Sequence, residues 1–164
     1  MNELVNTLVE AFGGLGKEVI VFIISMLPIL ELRGGLIAAA ILKMDFLPAY
    51  IISMIGNILP IPIVLIFLEK IFEFLKKFKL TEKIITKIEK KILSKKNQIE
   101  KYGYLGLVLF AGIPLPGTGA WTGAGLAVLL NLNKKKSFIA IMLGIILASI
   151  IMSILSYGIL DKLI

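Results

Sequence analysis

The sequence predicts an all-α integral membrane protein: an inverted repeat of a re-entrant helical hairpin followed by a transmembrane helix, with amphipathic helices at the membrane interface. Three observations carry that prediction. The 164 residues are 58% hydrophobic, with a mean hydropathy of +0.96, which is more apolar surface than a water-soluble core of this size can hide. Two runs, 47–68 and 137–160, hold no charge over 22 and 24 residues. Each can cross about 30 Å of hydrocarbon at about 1.5 Å per residue. Residues 14–69 also lie over residues 102–157 without a gap, pairing Phe22 with Phe110, Pro28 with Pro116, Gly35 with Gly123 and Gly56 with Gly144. The chain therefore reads as one membrane unit written twice, in a single membrane domain over 1–164.

Residues 2–12 set Leu4, Val5, Leu8, Val9 and Phe12 on one helical face, opposite Asn2, Glu3, Asn6 and Glu10. That pattern predicts a short helix lying in the interface, and its acidic start argues against a cleaved signal peptide. The first repeat, 14–69, opens with a stretch, 19–42, that is apolar apart from Glu31 and Arg33 and is broken by Pro28 and Gly34-Gly35. Half a bilayer, about 15 Å, needs only about ten helical residues. The arms 17–27 and 35–43 have that length, so 17–43 is predicted to enter and leave by the same face. The span 47–68 follows, kinked by Pro60 and Pro62 near its cytoplasmic end.

Residues 70–101 are a basic cytoplasmic connector. Thr81 can cap a helix over 81–100 whose Ile84, Ile85, Ile88 and Ile92 form a stripe among Lys87, Lys90, Lys91, Lys95 and Lys96. Such a helix suits an anionic membrane surface or serves as a solvated connector. In the second repeat, 102–160, an uncharged stretch is cut by PLPGTG at 114–119. The arms 103–113 and 121–131 form a second hairpin over 103–131, and the span 137–160 completes the unit. Irregular backbone at midplane depth survives only where protein or water surrounds it. The rival topology is four full spans, with the breaks as kinks.

Eleven lysines fall in 69–101, which puts that segment in the cytoplasm. Re-entrant hairpins place Lys134, Lys135 and Lys136 there as well, with fourteen lysines inside and three outside; four spans give thirteen and four. One crossing per copy turns the second unit upside down, the inverted symmetry of many transporter folds. Both termini then lie on the outer side of a prokaryotic cytoplasmic membrane.

The inventory excludes several chemistries. Without Cys or His there is no disulfide, no thiolate or imidazole metal site and no Cys- or His-based catalysis, and no metal or cofactor is expected. No nucleophile–base set or phosphate loop is present, so an enzyme is not expected. The net charge of +7 sits in lysines between spans, which fixes topology or meets anionic lipid rather than nucleic acid.

Of the 18 basic residues 17 are lysine, and the single arginine, Arg33, falls at the first hairpin's tip. Arginine stays protonated away from bulk water and offers a planar fork to carboxylate or phosphate. Glu31 is the only carboxylate at that depth. A charge there costs on the order of 3 kcal/mol on insertion scales, which marks a site. The structural alternative is an ion pair that holds the turn. Residues i and i+2 point apart on a helix, so the two pair only across a non-helical tip and otherwise face different partners. A desolvated Glu31 can take up and release a proton, and Arg33 can hold an anion.

Two helix N-termini, near Gly34-Gly35 and near Gly119-Ala120, are expected to aim partial positive charge at the bilayer centre, with glycines letting a headgroup approach the backbone. Thr118 and Thr122 add hydroxyls. Asn57 adds an amide for substrate or makes a helix-packing hydrogen bond. Trp121 falls where the repeat puts Arg33 and either fills the gap between hairpins or lines a cavity, filling being preferred. Gly144, Ala148, Ser149 and Ser153 make a small-residue face suited to close packing.

The runs PILELRGGLIAAA (28–40) and GYLGLVLFAGIPLPGTGAWTGAGLA (103–127) resemble those of the small multidrug export protein family, a distant branch of the DedA-type superfamily of membrane proteins. The resemblance implies two inward-folded hairpins plus spanning helices. At the superfamily level it implies lipid translocation, including recycling of a polyprenyl phosphate carrier, often linked to the proton gradient. At the family level it implies export of small toxic cations. DedA-like proteins use acidic residues in the first hairpin, matched here by Glu31, and arginines around the second. The second set is absent, so Arg33 fills the role from the other hairpin or the substrate differs.

The first functional reading is a translocase for an anionic lipid such as a polyprenyl phosphate. Arg33, Gly34, Gly35, Thr118, Gly119, Trp121, Thr122 and Asn57 would surround the headgroup, with Glu31 switching protonation. The alternative is a proton-coupled exporter of lipophilic cations, in which Glu31 alternately binds proton and drug; a further alternative is a non-transporting scaffold. Arg33 separates the first two, because the lipid reading needs its guanidinium available and the cation reading needs it neutralised elsewhere. Small inverted-repeat proteins frequently pair, which leaves a homodimer open.

Overall fold

Prolines and glycines lie at the turns around Pro28 and 114–119, whereas the turns at 42–45 and 130–133 pass through Lys43 and Asn131 at positive φ. The computed structural model describes Thr7 and residues 14–159; the interfacial helix expected over 2–12, the last residue of the span 137–160 and the placement of the termini fall outside that set. Within it the elements are α1 (Lys17–Met26), α2 (Glu31–Ile41), α3 (Phe46–Ile58), α4 (Pro60–Lys76), α5 (Lys79–Leu93), α6 (Lys96–Gly112), α7 (Ala120–Leu129) and α8 (Lys134–Ser153), the last continued by a π-helical stretch, Ile154–Ile159.

Among the described residues two helices are long and apolar enough to cross a membrane, Phe46–Lys76 and Lys134–Gly158. The first contains the α3–α4 break at Leu59. Leu59 keeps helical angles (φ −55°, ψ −42°), and Pro60 occupies the first position of α4, where its missing N–H has no intrahelical acceptor to lose. The chain thus runs on in one direction through the two prolines. It also runs eight residues past the expected end at 68, because nothing between Glu69 and Lys76 breaks a helix.

The connector departs from expectation. A helix over 81–100 is replaced by α5 and by the start of α6, and Thr81 does not cap. Phe78 stands at the cap position, while the Thr81 hydroxyl donates to the carbonyls of Leu75 and Phe78, tying α5 back onto the end of α4. Lys76 adds an ion pair to Glu89 at 2.7 Å. The first arm of the second hairpin begins in this same helix, α6, which bends at Gly103 (φ +58°, ψ −136°), a conformation open to glycine because it has no Cβ.

Two helices precede each long one: α1 and α2 come before α3–α4, and α6, of 17 residues, and α7 come before α8. In α1, α2 and α7 the short helices have 10, 11 and 10 residues, each about 15 Å long. The matched glycines of the two long helices do the same work. A Cβ on Gly56 would lie 2.8 Å from the Phe22 carbonyl oxygen, and one on Gly144 would lie 2.7 Å from the Val108 carbonyl oxygen. In both units the long helix therefore takes the first arm of its own hairpin against bare backbone.

The two long helices lie antiparallel. Tyr157, beyond the end of α8, meets the start of α3: its ring is 5.3 Å from that of Phe46, and its hydroxyl donates to the Met44 carbonyl at 3.2 Å. Midway, the Tyr50 and Ser149 hydroxyls are 2.9 Å apart. At the other end Leu65 and Ile66 of α4 share a cavity wall with Lys134 and Phe138 of α8. Ile24, Leu32, Leu36, Leu107, Leu126 and Ile141 fill the core between the units.

Candidate functional site

The site lies where the tips of the two hairpins meet. In the first tip α1 ends at Leu27, the chain turns through Pro28, and Glu31 adopts φ +52°. A side chain in that left-handed region costs on the order of 1 kcal/mol. The repeat sets Glu31 opposite Gly119, which has φ +134°. At the same turn, one unit carries a carboxylate and the other a bare backbone.

Glu31 is 4% exposed, yet its charge is solvated by peptide groups. Its Oε2 accepts from the Ala120 N–H and its Oε1 from the Trp121 N–H, both at 3.0 Å. These are the first two amides of α7, which have no acceptor within their own helix and form its positive end. Gly119 makes the approach feasible: a Cβ there would stand 2.6 Å from Glu31 Oε1.

Arg33 is turned to the other helix end of the same hairpin. Its Nη1 donates to the Leu115 carbonyl at 3.1 Å, and its Nη2 to the Ile113 carbonyl at 3.2 Å and the Thr118 hydroxyl at 3.3 Å. Ile113 closes α6, so the guanidinium sits at that helix's negative end. Thr118 Oγ1 lies 2.9 Å from the Ile113 carbonyl oxygen and 2.7 Å from that of Leu115, and it accepts from the Leu115 N–H at 3.2 Å. Arg33 and Thr118 together knot the second tip. Arg33 Nε is buried without a partner.

The acid and the base therefore face different partners, the second of the two arrangements that the i, i+2 spacing left open. The ion pairs among the described residues are Lys76–Glu89 and Lys96–Glu100, neither at the tips. Glu31, Arg33, Thr118, Gly119 and Trp121 come together, with Gly119 and Trp121 contributing backbone.

Other expected site residues stand apart or change role. No helix begins at Gly34-Gly35: α2 begins at Glu31 and both glycines lie inside it. The turn is made by Pro28 and the left-handed Glu31, and the glycines serve packing. A Cβ on Gly35 would collide with the Ser25 hydroxyl and come within 2.9 Å of that of Ser53. The other expected N-terminus does begin at Ala120, but Glu31 already occupies its amides. Asn57 is buried in α3 with its Oδ1 unpartnered, and no hydrogen bond links it to the tips. Thr122 is half-buried in α7 and likewise makes no hydrogen bond to them. The Trp121 ring packs against the apolar core, as a filler does, with Nε1 buried and unpartnered.

Sequence reasoning missed the carbonyls of Ile113 and Leu115. Their side chains are apolar and carry no sign of the role. The repeat register did hold one usable signal, since it aligned a glutamate with a glycine inside a turn. Among the described residues, surface cavities open on α5, between α6 and α7, and between α4 and α8, and Glu31 and Arg33 line none of these. No cluster of three His, Cys, Asp or Glu side chains able to hold a metal occurs among the described residues.

A family model described as "Putative small multi-drug export protein" matches residues 31–151, a stretch that begins at Glu31 and takes in the whole second tip. No curated protein and no solved structure shows a match.

Proposed function

The chain belongs to the small multi-drug export protein family, and on that premise we propose that it exports a small lipophilic cation across the cytoplasmic membrane, with Glu31 alternately holding proton and substrate. The observation that carries this reading is the engagement of Arg33 by three oxygens of the second tip. With the guanidinium spent on Ile113, Leu115 and Thr118, the charge left for a ligand is the carboxylate. Glu31 has only neutral amides as hydrogen-bond partners, and a cation or a proton can replace amides that an ion pair would hold more firmly.

The topology we infer is the re-entrant one. Antiparallel long helices support it, because the chain from the end of α4 to the start of α8 then begins and ends at one face, and 103–131 must return to the side it left. Arms about 15 Å long support it too. The second unit is then the first one inverted, and the tips meet in mid-membrane, where peptide groups at α6 and α7 replace water around both charges. Transport requires the clasp to open. Protonation of Glu31 removes the charge that α7's amides hold, and the freed carboxyl can exchange its proton for the cation.

Lipid translocation, which the DedA-type resemblance implies, needs an unoccupied guanidinium, and the tip contacts weigh against it. The test is reconstitution into liposomes with a quaternary ammonium dye and, separately, with labelled polyprenyl phosphate. Dye is expected to move under a proton gradient, and Glu31→Gln to abolish that movement while the protein still elutes as a folded species. Movement of the lipid alone would overturn the reading in favour of a lipid translocase. Movement of neither, with Glu31→Gln fully active in cells, would favour a scaffold.

A further inference from the structure

The groove between α4 and α8 lies away from the tips and plays no part in the proposed export. It has a volume of about 430 Å³. Its walls are Pro62, Leu65 and Ile66 from α4 and Phe138 and Ile139 from α8, with Lys134 and Lys135 at one end. Ile66 and Ile139 are each about half exposed, so the groove opens on the outer surface of the two long helices. In a membrane that surface meets acyl chains.

The charged end is built for an anion. Lys134 and Lys135 make no ion pair among the described residues. They also open α8, whose first N–H groups have no acceptors within the helix and form its positive end. Asn133 Oδ1 takes the Lys136 N–H, and the N–H groups of Lys134 and Lys135 remain. Lys134 and Lys135, both exposed, thus line one end of an apolar trough at the start of α8, on the face to which lysine counting assigns the cytoplasm. Basic pockets between spanning helices on that side recognise acidic headgroups.

We propose that this groove binds an anionic glycerophospholipid, its phosphate on Lys134, Lys135 and the first amides of α8 and an acyl chain along Ile66, Phe138 and Ile139. The lipid is a resident ligand rather than cargo. It joins the long helix of one unit to the long helix of the other at a level where the protein's own contacts leave space, and it does not depend on Glu31 or on the identity of the exported compound.

The experiment is titration of the detergent-solubilised full chain with phosphatidylglycerol or phosphatidylcholine, reading bound lipid by native mass spectrometry. Phosphatidylglycerol is expected to bind the wild type more tightly. Replacing both lysines, Lys134→Gln with Lys135→Gln, is expected to weaken that binding about twentyfold and to weaken phosphatidylcholine binding by less, since choline already balances its phosphate. The matched pair Lys90→Gln with Lys91→Gln, on exposed positions of α5, removes the same charge elsewhere and is expected to change nothing. Ile139→Trp, which fills the groove with the lysines intact, is expected to weaken both lipids. Equal binding of the two lipids by the wild type, or equal loss from the α5 pair, would overturn the proposal. So would full competition by glycerol phosphate, which has the headgroup and no chain, or a dimer of the chain that Ile139→Trp dissociates.

Discussion

The two hairpins hold equivalent places in the repeat and bring opposite things to their contact. The first tip supplies a carboxylate and a guanidinium, Glu31 and Arg33; the second supplies the amides of Ala120 and Trp121 and the carbonyls of Ile113 and Leu115. Each charge lies at the helix end whose partial charge opposes it, acid at the start of α7 and base at the end of α6. The second hairpin thus acts as solvent for the first. The difference teaches how matching tips can diverge where it matters: two substitutions, Glu against Gly at a turn of positive φ and Arg against Trp two residues on, make one tip a plug and the other a socket.

The largest expected effect comes from closing the socket. Gly119→Ala puts a Cβ 2.6 Å from Glu31 Oε1 and a side chain at φ +134°, and should lower stability by roughly 3 kcal/mol in a denaturant titration in detergent. A wild-type curve would mean that Glu31 does not rest on α7. Changing the plug comes next. Arg33→Lys keeps the charge but cannot reach two carbonyls and a hydroxyl with one planar fork, so a loss of about 2 kcal/mol is expected. If lysine serves equally well, the charge alone matters and the second tip is not a shaped receptor.

The next prediction asks how far the likeness between the units extends. Gly56→Ala and Gly144→Ala press a methyl group against the carbonyls of Phe22 and Val108 in matching places, and each should cost about 1.5 kcal/mol. A large inequality between the two would break the structural equivalence of the long helices. The smallest effect is expected at their mutual contact, where Tyr50→Phe removes one hydrogen bond to Ser149, worth about 0.6 kcal/mol in a membrane interior; a much larger loss would mean that this bond, rather than packing, sets the antiparallel register.

Much of the architecture was legible because its causes are local. Hydropathy marks 47–68 and 137–160 whatever they pack against, and the ungapped register singled out Gly56 and Gly144 before any contact was known. Pro28 and Pro116 lie in the turns that separate α1 from α2 and α6 from α7. The reading failed where one residue type serves two purposes: Gly34-Gly35 resembles a turn, yet these glycines lie inside α2, where Gly35 lets Ser25 and Ser53 close in. It failed again at Thr81, whose hydroxyl found the end of α4 in place of the start of α5.

By itself the sequence determined that this chain is helical and belongs in a membrane, that 47–68 and 137–160 form its long apolar helices, and that one acid and one guanidinium stand in an otherwise apolar stretch. It could not determine what those two charges face. Their partners are peptide groups 80 to 90 residues away, and a backbone amide or carbonyl is common to every residue and leaves no mark on the amino-acid pattern. Only when the chain folds tip against tip do the free ends of α6 and α7 come to stand where the charges need them, since helix ends are made by the path of the backbone and aimed by tertiary packing.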